Sequence, residues 1–348
     1  MKLRFRSIPN GALPYETVES AVRPIAKVYQ ETPFIPVLPK VNAEDNVQTR
    51  TLVNIPGIVI DQHKKILLKP DKNYEEGMKR LDKAFNHPTK ENLAEFGFEA
   101  PFLEKYCQML KKFKPANAYI NILGPFTLSQ IITNAAEIQM IGDKSYRKLF
   151  VEAVCVKALW LINKTWEYCD KTVPIIVLEE PLLNRLGELK RSSEDISTDL
   201  FINMFTKVIQ KIHTTGSYVS VQCFEKCDWQ IPIKAGVDMI SFDAYDNPNN
   251  LNIIPEIVLD FISSGGKINW AIVPSKSENI VRLLNIETLK RRLFATMDGL
   301  IMSGVPQKFV YNSSTVSIQG NMDNLPLIFA EKAMLLCNQL AKSIPVKS

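Results

Sequence analysis

The clearest candidates for chemistry are two adjacent carboxylates at the end of an apolar run. Glu179 and Glu180 follow the run VPIIVL, and Pro181 ends it abruptly. Successive side chains of a strand point to opposite faces, so one carboxylate should point to the enclosed side of a sheet and the other away from it. An enclosed carboxylate can hold a substrate ammonium group or act as a general base. A salt bridge to Arg or Lys is the alternative role for either acid.

Other polar groups follow similar apolar runs. Asp243 is a candidate acid, or a buried acid that hydrogen-bonds the backbone. Gly124 lets a ligand approach the backbone and Thr127 can cap a helix, although a purely structural turn explains both equally well. Cys223 is followed four residues later by Cys227, a spacing compatible with a soft-metal site or a redox pair. All of these groups lie at or near the end of a predicted strand.

The histidines do not complete a metal site. Zinc takes three or four protein ligands, and none of the three histidines follows a predicted strand; they are His63, His87 and His213. We therefore expect surface or helix-capping roles for them. The six cysteines are too dispersed for a disulfide framework, which favours a reducing, cytoplasmic compartment.

The elements that must position these groups alternate along the chain. Amphipathic helical patterns, such as residues 149–169 and residues 199–216 with Gly216 as the helix stop, separate runs of apolar and β-branched residues. Near-continuous apolar runs are typical of parallel strands covered on both faces. The runs are FIPVLP (34–39), AYINILGPF (118–126), VPIIVLEEP (173–181), SYVSVQCF (217–224), DMISFDAY (238–245), KINWAIVPS (267–275) and KFVYNSS (308–314), and LRFRSIPNG (3–11) supplies an eighth.

This alternation predicts an α/β fold, a single (β/α)8 TIM barrel, rather than an open doubly wound sheet. No G-x-G-x-x-G follows the first run, which weakens the case for dinucleotide binding. Residues 52–69 predict a β-hairpin inserted after the second strand, residues 71–115 a helical insertion, and residues 1–348 one barrel domain. Reacting groups of such barrels follow the C-terminal ends of the strands, where the acids and thiols above are placed.

Composition excludes several classes of protein. Apolar residues make up 46% and charged residues 23%, so disorder, collagen-like repeats and coiled coils are excluded. A net charge of +5 from scattered basic residues gives no nucleic-acid footprint. No apolar run approaches the roughly 18 residues of a membrane span, and the N-terminal MKLRFRSIPNGALP has no secretory h-region. We expect neither a nucleic-acid nor a membrane partner.

Seven motifs carry a resemblance to a known family. In chain order they are GALP (11–14), similar to G-S-L-P; FIPVLP (34–39), similar to a segment ending in Q-L-P; NIPGIV (54–59), similar to the start of a hairpin; GPFT (124–127), similar to G-P-V-T; EEP (179–181), similar to D-E-P; residues 235–245, similar to A-G-V-D-x-L-S-F-D-A-Y; and WAIVP (270–274), similar to W-G-I-V-P. Together they resemble the C-terminal catalytic barrel of cobalamin-independent methionine synthase and its short single-barrel relatives. That superfamily also contains uroporphyrinogen decarboxylase and corrinoid-dependent thiol methyltransferases.

The resemblance implies transfer of a methyl group to a thiol that zinc holds as a thiolate. Zinc replaces the thiol proton and orients the sulfur. The family's ligand positions fall on Gln222, on Phe224 or, with a slip of one residue, Cys223, and on Asp243 and Ser314. Glutamine and serine are poor zinc ligands, so we expect a degenerate site that does not bind zinc.

The resemblance also implies a substrate site. Glu179 falls on the acid that binds the amino group of homocysteine. Ala12 replaces a serine near the substrate carboxylate, where backbone N–H groups could still serve. The predicted catalytic residues are Cys223, Glu179 and Asp243, and the predicted substrate-binding residues are Gly11, Ala12, Gly124, Thr127 and Glu180.

The favoured hypothesis is a methionine-synthase-like methyltransferase that passes a methyl group from a corrinoid or folate donor to a small thiol or related acceptor. Its expected ligand is a small thiol or amino-acid-like molecule, and a corrinoid protein is the expected partner. The alternative is a catalytically degenerate barrel that binds a small ligand or a partner protein, which the loss of the family's His and final Cys favours. Decarboxylation of the uroporphyrinogen type is a minor alternative, because the arginine-rich N-terminal motif of those enzymes is absent.

Overall fold

The centre of the protein is a curled parallel β-sheet. The structure, a computed structural model, describes residues 5–192 and 196–344. Within them the strands are, in chain order, β1 (Ser7–Ile8), β2 (Ile58–Ile60), β3 (Ile66–Leu68), β4 (Asn117–Leu123), β5 (Ile132–Thr133), β6 (Val173–Glu179), β7 (Tyr218–Cys223), β8 (Met239–Asp243), β9 (Lys267–Pro274) and β10 (Ser314–Gln319). Seven of them form one all-parallel sheet in the order β1-β10-β9-β8-β7-β6-β4.

Helices separate the strands along the chain, as the sequence predicts for an α/β fold. They are α1 (Val18–Tyr29), α2 (Val47–Leu52), α3 (Tyr74–Asn86), α4 (Lys90–Ala94), α5 (Leu103–Phe113), α6 (Pro125–Ile131), α7 (Lys144–Tyr168), α8 (Leu186–Ser192), α9 (Thr198–His213), α10 (Gln230–Lys234), α11 (Pro255–Ser263), α12 (Glu278–Leu283), α13 (Ile286–Met302), α14 (Gln307–Asn312) and α15 (Leu327–Ser343). Gly216 follows α9 with φ +79°, the backbone expected of a helix-stop residue. Among the described residues, no helix has the length and apolar character needed to cross a lipid bilayer.

The predicted second strand, residues 34–39, does not form a strand. Phe34 makes a single bridge to Tyr119 of β4, and Val37 makes a single bridge to Ala12, just after β1. Three prolines between residues 33 and 39 remove backbone donors, so regular ladders on both sides cannot form. The sheet is therefore TIM-barrel-like, and the prediction of a closed eight-stranded barrel was wrong at this position.

A buried arginine supplies hydrogen bonds to this segment instead. Arg50 of α2 donates to the carbonyls of Ile35 (3.0 Å) and Pro36 (2.8 Å). Its Nε also lies 2.7 Å from Oδ1 of Asp45, and Oδ2 of Asp45 accepts from the backbone N–H of Leu38 at 2.8 Å. Charge-assisted hydrogen bonds of this kind are short and strong. Side chains thus hold the segment in the gap that a regular eighth strand would fill.

The insertion after this segment has a small sheet of its own. β2 pairs antiparallel with β3 within residues 52–69, and β3 pairs in parallel with β5. Helices α3, α4 and α5 lie within residues 71–115. Lys157 of α7 is fully buried, and its Nζ lies 2.5 Å from the carbonyl oxygens of both Val53 and Phe96. It therefore ties the residues that follow α2 and α4 to the long helix α7.

The last strand of the large sheet lies later in the chain than the sequence predicts. Most of residues 308–314 form α14, and β10 begins at Ser314. The cluster FVY has high β propensity, but Pro306 precedes the helix at a position where a missing N–H is tolerated. The true strand, STVSIQ, alternates polar and apolar residues and was not recognised as a strand. Ser314 therefore begins a strand, and its prediction as a strand end was wrong.

The two faces of the large sheet differ in polarity. Phe242 packs edge-on against Trp229, at the start of α10, with ring centroids 6.5 Å apart, so this face of β8 points outward to the helices. On the inner face, Nδ2 of Asn269 donates to the hydroxyls of Ser241 (2.6 Å) and Ser317 (2.9 Å). TIM barrels usually fill their interior with branched apolar side chains. A polar interior therefore points to a functional site at the strand ends.

Candidate functional site

Glu179 lies at the end of the polar inner face. It is the last residue of β6, level with Leu123 of β4 and Gln222 of β7. Its side chain is partly exposed, and Oε1 accepts a 2.7 Å hydrogen bond from Nδ2 of Asn121. Burial raises the pKa of Glu179, whereas the Asn121 hydrogen bond and the charge of Arg50 lower it to a smaller extent. A carboxylate in this state can bind an ammonium group or accept a proton.

Amide side chains lie beside Glu179. Gln222 is on the same face of the neighbouring strand, because the two residues pair in register. Its Nε2 donates to Oδ1 of Asn10 (3.1 Å), and Nδ2 of Asn10 donates to the carbonyl of Ile318 (3.2 Å). We call Asn10, Asn121, Glu179 and Gln222 the mouth cluster. It offers a ligand one acid and several amide donors and acceptors.

Glu180 has the opposite environment. It is fully buried on the outer face, where its Oε1 accepts from the N–H of Phe126 (2.9 Å) and its Oε2 from the N–H and the hydroxyl of Thr127 (both 2.6 Å). Burial raises the pKa of Glu180 to about 7, against the opposing effect of these hydrogen bonds. Gly124 leaves room for the carboxylate, because a Cβ there would lie 2.1 Å from Oε1. Gly124, Thr127 and Glu180, three predicted substrate-binding residues, thus come together. Their contacts are with one another, and these contacts stabilise the start of α6.

Asp243 is buried on the inner face at the end of β8. Its Oδ1 accepts from the backbone N–H groups of Tyr245 (2.9 Å) and Asp246 (2.8 Å), and its Oδ2 accepts from Nε2 of Gln319 (2.6 Å). The same Nε2 donates to Oδ2 of Asp246 (2.8 Å), which pairs with Nζ of Lys276 (2.6 Å). Of the two roles that the sequence left open, this geometry favours the acid that organises the loop after β8.

Cys223 faces away from the mouth cluster. It follows Gln222 in β7, so the two side chains lie on opposite faces, and it pairs in register with the outward-facing Phe242. Its thiol is buried, 3.6 Å from the carbonyl oxygen of Glu225, and contacts the thiol of Cys227. Both cysteines are free thiols. The structure therefore does not bring Cys223 together with the two predicted catalytic acids.

The positions of the family's zinc ligands do not converge. Ser314 lies at the N-terminal end of β10, where its hydroxyl accepts from Nε1 of Trp270 (2.8 Å) and donates to the carbonyl of Val310 (2.6 Å). Gln222 and Phe224 lie at the opposite end of the sheet. Among the described residues, no group of three or more His, Cys, Asp and Glu side chains is placed to hold a metal ion. These residues do not fit a zinc site of the family's kind.

The turn at Gly11 and Ala12 makes its hydrogen bonds within the protein. Gly11 has φ +77°, and a Cβ there would lie 2.8 Å from Oδ1 of Asn321 and 2.9 Å from the carbonyl oxygen of Gly320. The N–H of Ala12, a predicted donor to a substrate carboxylate, donates to Oδ1 of Asn321 at 2.9 Å. The turn packs closely against the segment after β10 and so fixes the adjacent Asn10.

Sequence reasoning missed the amides of the mouth cluster. Asn121 interrupts the apolar run AYINIL, and an amide in such a buried strand was the available signal, since it must find a partner. Asn10 stands next to Pro9 and Gly11 and was indistinguishable from an ordinary turn residue. Arg50 lies in a short helix far from the strand ends, and no sequence signal identified it as the cation whose charge lowers the pKa of Glu179.

The comparisons with known proteins support the fold. No protein-family model and no curated protein sequence matches the chain. A methyltransferase from Methanosarcina mazei has a similar structure, with a TM-score of 0.55 over 97% of this chain and 94% of that chain, at 12% sequence identity. A beta-N-acetylhexosaminidase aligns over 72% of this chain and 55% of that chain at 8% identity, with a TM-score of 0.36 that is too low to support an argument. The chain therefore has a TIM-barrel-like α/β fold that it shares with a methyltransferase.

Proposed function

We propose that this protein is a methyltransferase that binds a small amine- or thiol-bearing acceptor at the mouth cluster and transfers a methyl group without a protein-bound zinc ion. The observation that carries the proposal is the state of Glu179, a partly exposed acid whose pKa is raised by burial. It stands at the strand ends, where barrels of this type place their reacting groups. The similarity in fold to a methyltransferase supports the reaction class.

Glu179 is suited to anchor the acceptor. Asn121 fixes the carboxylate through Oε1, and no hydrogen bond reaches Oε2 from any other described residue. An ammonium or thiol group of a ligand can donate to Oε2, and the amide of Gln222, next to it in register, can bind a further polar group. The ligand class that fits best is a small zwitterion that resembles an amino acid, such as homocysteine.

Glu179 can also act as the general base for transfer. The acceptor nitrogen or sulfur forms a bond to the methyl carbon, and the bond between methyl and donor breaks with its electron pair going to the donor. The proton of the acceptor passes to the Glu179 carboxylate, whose raised pKa favours this transfer. In the family that the sequence resembles, zinc replaces that proton; in this protein a carboxylate takes it. The donor class implied by the resemblance is a corrinoid or a folate.

A barrel that binds the same ligand class without catalysis is the second candidate. Two observations favour it: the Cys223 thiol points to the outer face, and the Ala12 N–H and the Glu180 carboxylate are occupied by internal hydrogen bonds. Under this alternative the mouth cluster retains the ligand site and has lost the reaction.

Transfer assays separate the two candidates. The full chain is incubated with homocysteine or small primary amines and either methylcobalamin or N5-methyltetrahydrofolate, and methylated product is measured by mass spectrometry. We expect Glu179→Gln to lower the transfer rate by about 10²-fold or more, the size of a general-base contribution. Glu225→Gln changes an exposed acid near the end of β7 and is the matched control, which should keep its activity.

Two further outcomes are informative. Binding of homocysteine by calorimetry without product from any donor would favour the non-catalytic barrel. Neither binding nor product would reject both candidates. Cys223→Ser should leave transfer unchanged, because its thiol faces the helices; a loss of orders of magnitude would instead assign the reaction to that thiol.

A further inference from the structure

We propose that Cys223 and Cys227 form a redox modification site, in which a hydroperoxide converts the two thiols to a disulfide. The two residues flank residues 224–226, in the loop between β7 and α10. Their thiols contact each other, and both are free. The modification does not depend on the proposed methyl transfer, because Cys223 faces away from the mouth cluster.

The contact between the two sulfurs distinguishes this pair from the other cysteines. Among the described residues no other pair of thiols is in contact; the remaining cysteines are Cys107, Cys155, Cys169 and Cys337. A disulfide forms without backbone movement only where the two side chains already point toward each other, and sulfurs in contact meet this condition. Glu225 and Lys226, between the two cysteines, are exposed, so the loop can adjust as the S–S bond forms.

Exposure sets the order in which the two thiols react. Cys227 is 8% exposed and lines a cavity of about 460 Å³ between the loops that follow β6, β7 and β8, whereas Cys223 is 1% exposed. Hydrogen peroxide is small and neutral, so it can enter this cavity and meet Cys227 first. Cys223, whose S–H donates to the carbonyl of Glu225 at 3.6 Å, is then the thiol that resolves the intermediate.

The reaction passes two electrons from the thiol pair to one peroxide molecule. The Cys227 thiolate attacks a peroxide oxygen, the O–O bond breaks, and the departing hydroxide takes up the thiol proton and leaves as water. Cys227 is then a sulfenic acid. The Cys223 sulfur attacks the Cys227 sulfur, the S–O bond breaks, and the departing hydroxide takes the Cys223 proton and leaves as a second water. The products are one disulfide and two water molecules.

The surroundings of Cys227 make this reaction slow at neutral pH. Burial and the adjacent Cys223 thiol raise the pKa of Cys227. The acids Asp228 and Glu180 raise this pKa further, because their negative charges oppose the thiolate. Since the thiolate is the nucleophile, we expect the oxidation rate to rise about tenfold for each pH unit. The site therefore responds to sustained oxidation and not to a brief exposure.

The disulfide fixes the backbone next to the mouth cluster. Gln222 directly precedes Cys223, and the ring of Phe224 lies beside Gly320, where a Cβ would be 3.7 Å from its Cδ2. Oxidation should therefore shift the NMR signals of the Gln222 side-chain amide. The amide of Asn117, at the opposite end of the sheet, is the control and should keep its signals.

Peptide mapping of the oxidised full chain tests the site. Trypsin cleaves after Lys226, so the disulfide links peptide 212–226 to peptide 227–234. The protein is treated with hydrogen peroxide, its remaining thiols are blocked with N-ethylmaleimide, and the digest is measured by mass spectrometry with and without dithiothreitol. We expect the linked peptides in wild type. Cys169→Ser is the matched control, because Cys169 is also 8% exposed but contacts no described thiol, and this variant should link at the wild-type rate.

Two single variants test the order of the steps. In Cys223→Ser the oxidation should stop at a Cys227 sulfenic acid, which dimedone traps. In Cys227→Ser the Cys223 thiol should be oxidised at least about tenfold more slowly than Cys227 is in Cys223→Ser, because it is less exposed. Absence of the linked peptides at every peroxide concentration that leaves the circular dichroism spectrum intact would overturn the proposal. Linkage without a shift of the Gln222 signals would overturn its connection to the mouth cluster.

Discussion

Glu179 and Glu180 are adjacent in the sequence but lie in opposite environments. Glu179 lies on the inner face of the sheet in the mouth cluster, is partly exposed, and accepts one hydrogen bond from Asn121. Glu180 lies on the outer face and is fully buried at the start of α6. There it accepts three hydrogen bonds from Phe126 and Thr127. We call Gly124, Phe126, Thr127 and Glu180 the α6 junction.

The difference teaches that unused hydrogen-bonding capacity, and not residue type, separates the candidate functional acid Glu179 from the structural acid Glu180. Both carboxylates have a pKa raised by burial. In the α6 junction both oxygens are already occupied, and the missing side chain of Gly124 leaves space for the carboxylate only. In the mouth cluster Oε2 of Glu179 accepts no hydrogen bond from any described residue and can meet a ligand. Perturbed pKa values alone would have marked both acids as catalytic candidates.

The largest expected effect is on stability, from Glu180→Ala. The change leaves three buried donors of the α6 junction unpaired, and we expect the free energy of unfolding to fall by about 3–5 kcal/mol. Glu179→Ala is the matched control, and it should cost less than about 1 kcal/mol because its carboxylate is partly exposed. Urea unfolding followed by circular dichroism measures both. Equal costs for the two variants would mean that the two regions do not differ as described.

Stability should also depend on pH through Glu180. Its pKa is about 7 in the folded protein and near 4.5 when unfolded, so the folded state binds the proton more tightly. The free energy of unfolding should therefore fall as pH rises from about 4.5 to about 7, by about 3 kcal/mol from this group. Glu180→Gln removes this contribution while keeping the side chain's size, so the difference between the two pH profiles isolates it. A difference that stays constant with pH, or grows in the opposite direction, would show that hydrogen bonding outweighs burial at this site.

The sequence predicts the central strands of the large sheet well, and it predicts the segments at the edges of that series of strands poorly. Apolar runs correctly locate the central strands. Helices cover one face of these strands and the sheet interior encloses the other, and both environments exclude charged side chains. Apolar runs do not mark a strand correctly where another interaction takes the place of helices and interior in covering it. Residues 34–39 look like a strand, but their carbonyls bind Arg50; residues 314–319 are a strand, but their inner face is polar.

The candidate site is also predictable only in part: the directions of the two acids follow from the sequence, and their partners do not. Alternation along β6 predicts that Glu179 and Glu180 diverge, which the structure shows. The partners that decide their roles come from distant segments: Thr127 lies 53 residues before Glu180, and Asn10 lies 212 residues before Gln222. No local pattern encodes such contacts, so the resemblance to a zinc enzyme assigned Gln222 and Ser314 to one site although the fold places them at opposite ends of the sheet.

Gly124→Ala should have a smaller effect that depends on Glu180. A Cβ at this position would lie 2.1 Å from Oε1 of Glu180, so the carboxylate must move and we expect a cost of about 1–3 kcal/mol. In the Glu180→Ala background the clash disappears, and the second change should cost little, which gives a coupling energy in a double-mutant cycle. Gly187→Ala in α8 is the control, because within the part of the chain that the structure describes a Cβ there meets only Arg191, at 3.7 Å. Additive costs of Gly124→Ala and Glu180→Ala would contradict the packing of the α6 junction.

The smallest effect on stability, and the most specific to the mouth cluster, should come from Asn121→Ala. The Asn121 hydrogen bond lowers the pKa of Glu179, so its loss should raise that pKa further, with a change in unfolding free energy below about 1 kcal/mol. Carbon-13 NMR titration of the Glu179 carboxyl measures the shift. Asn117→Ala, in the same strand, removes a hydrogen bond to the carbonyl of Val173 and should leave the pKa of Glu179 unchanged. If Glu179 is the base, Asn121→Ala should move the pH profile of methyl transfer to higher pH together with the pKa of Glu179. A profile that stays in place while the carboxyl pKa moves would remove Glu179 from the reaction and leave it as a binding residue.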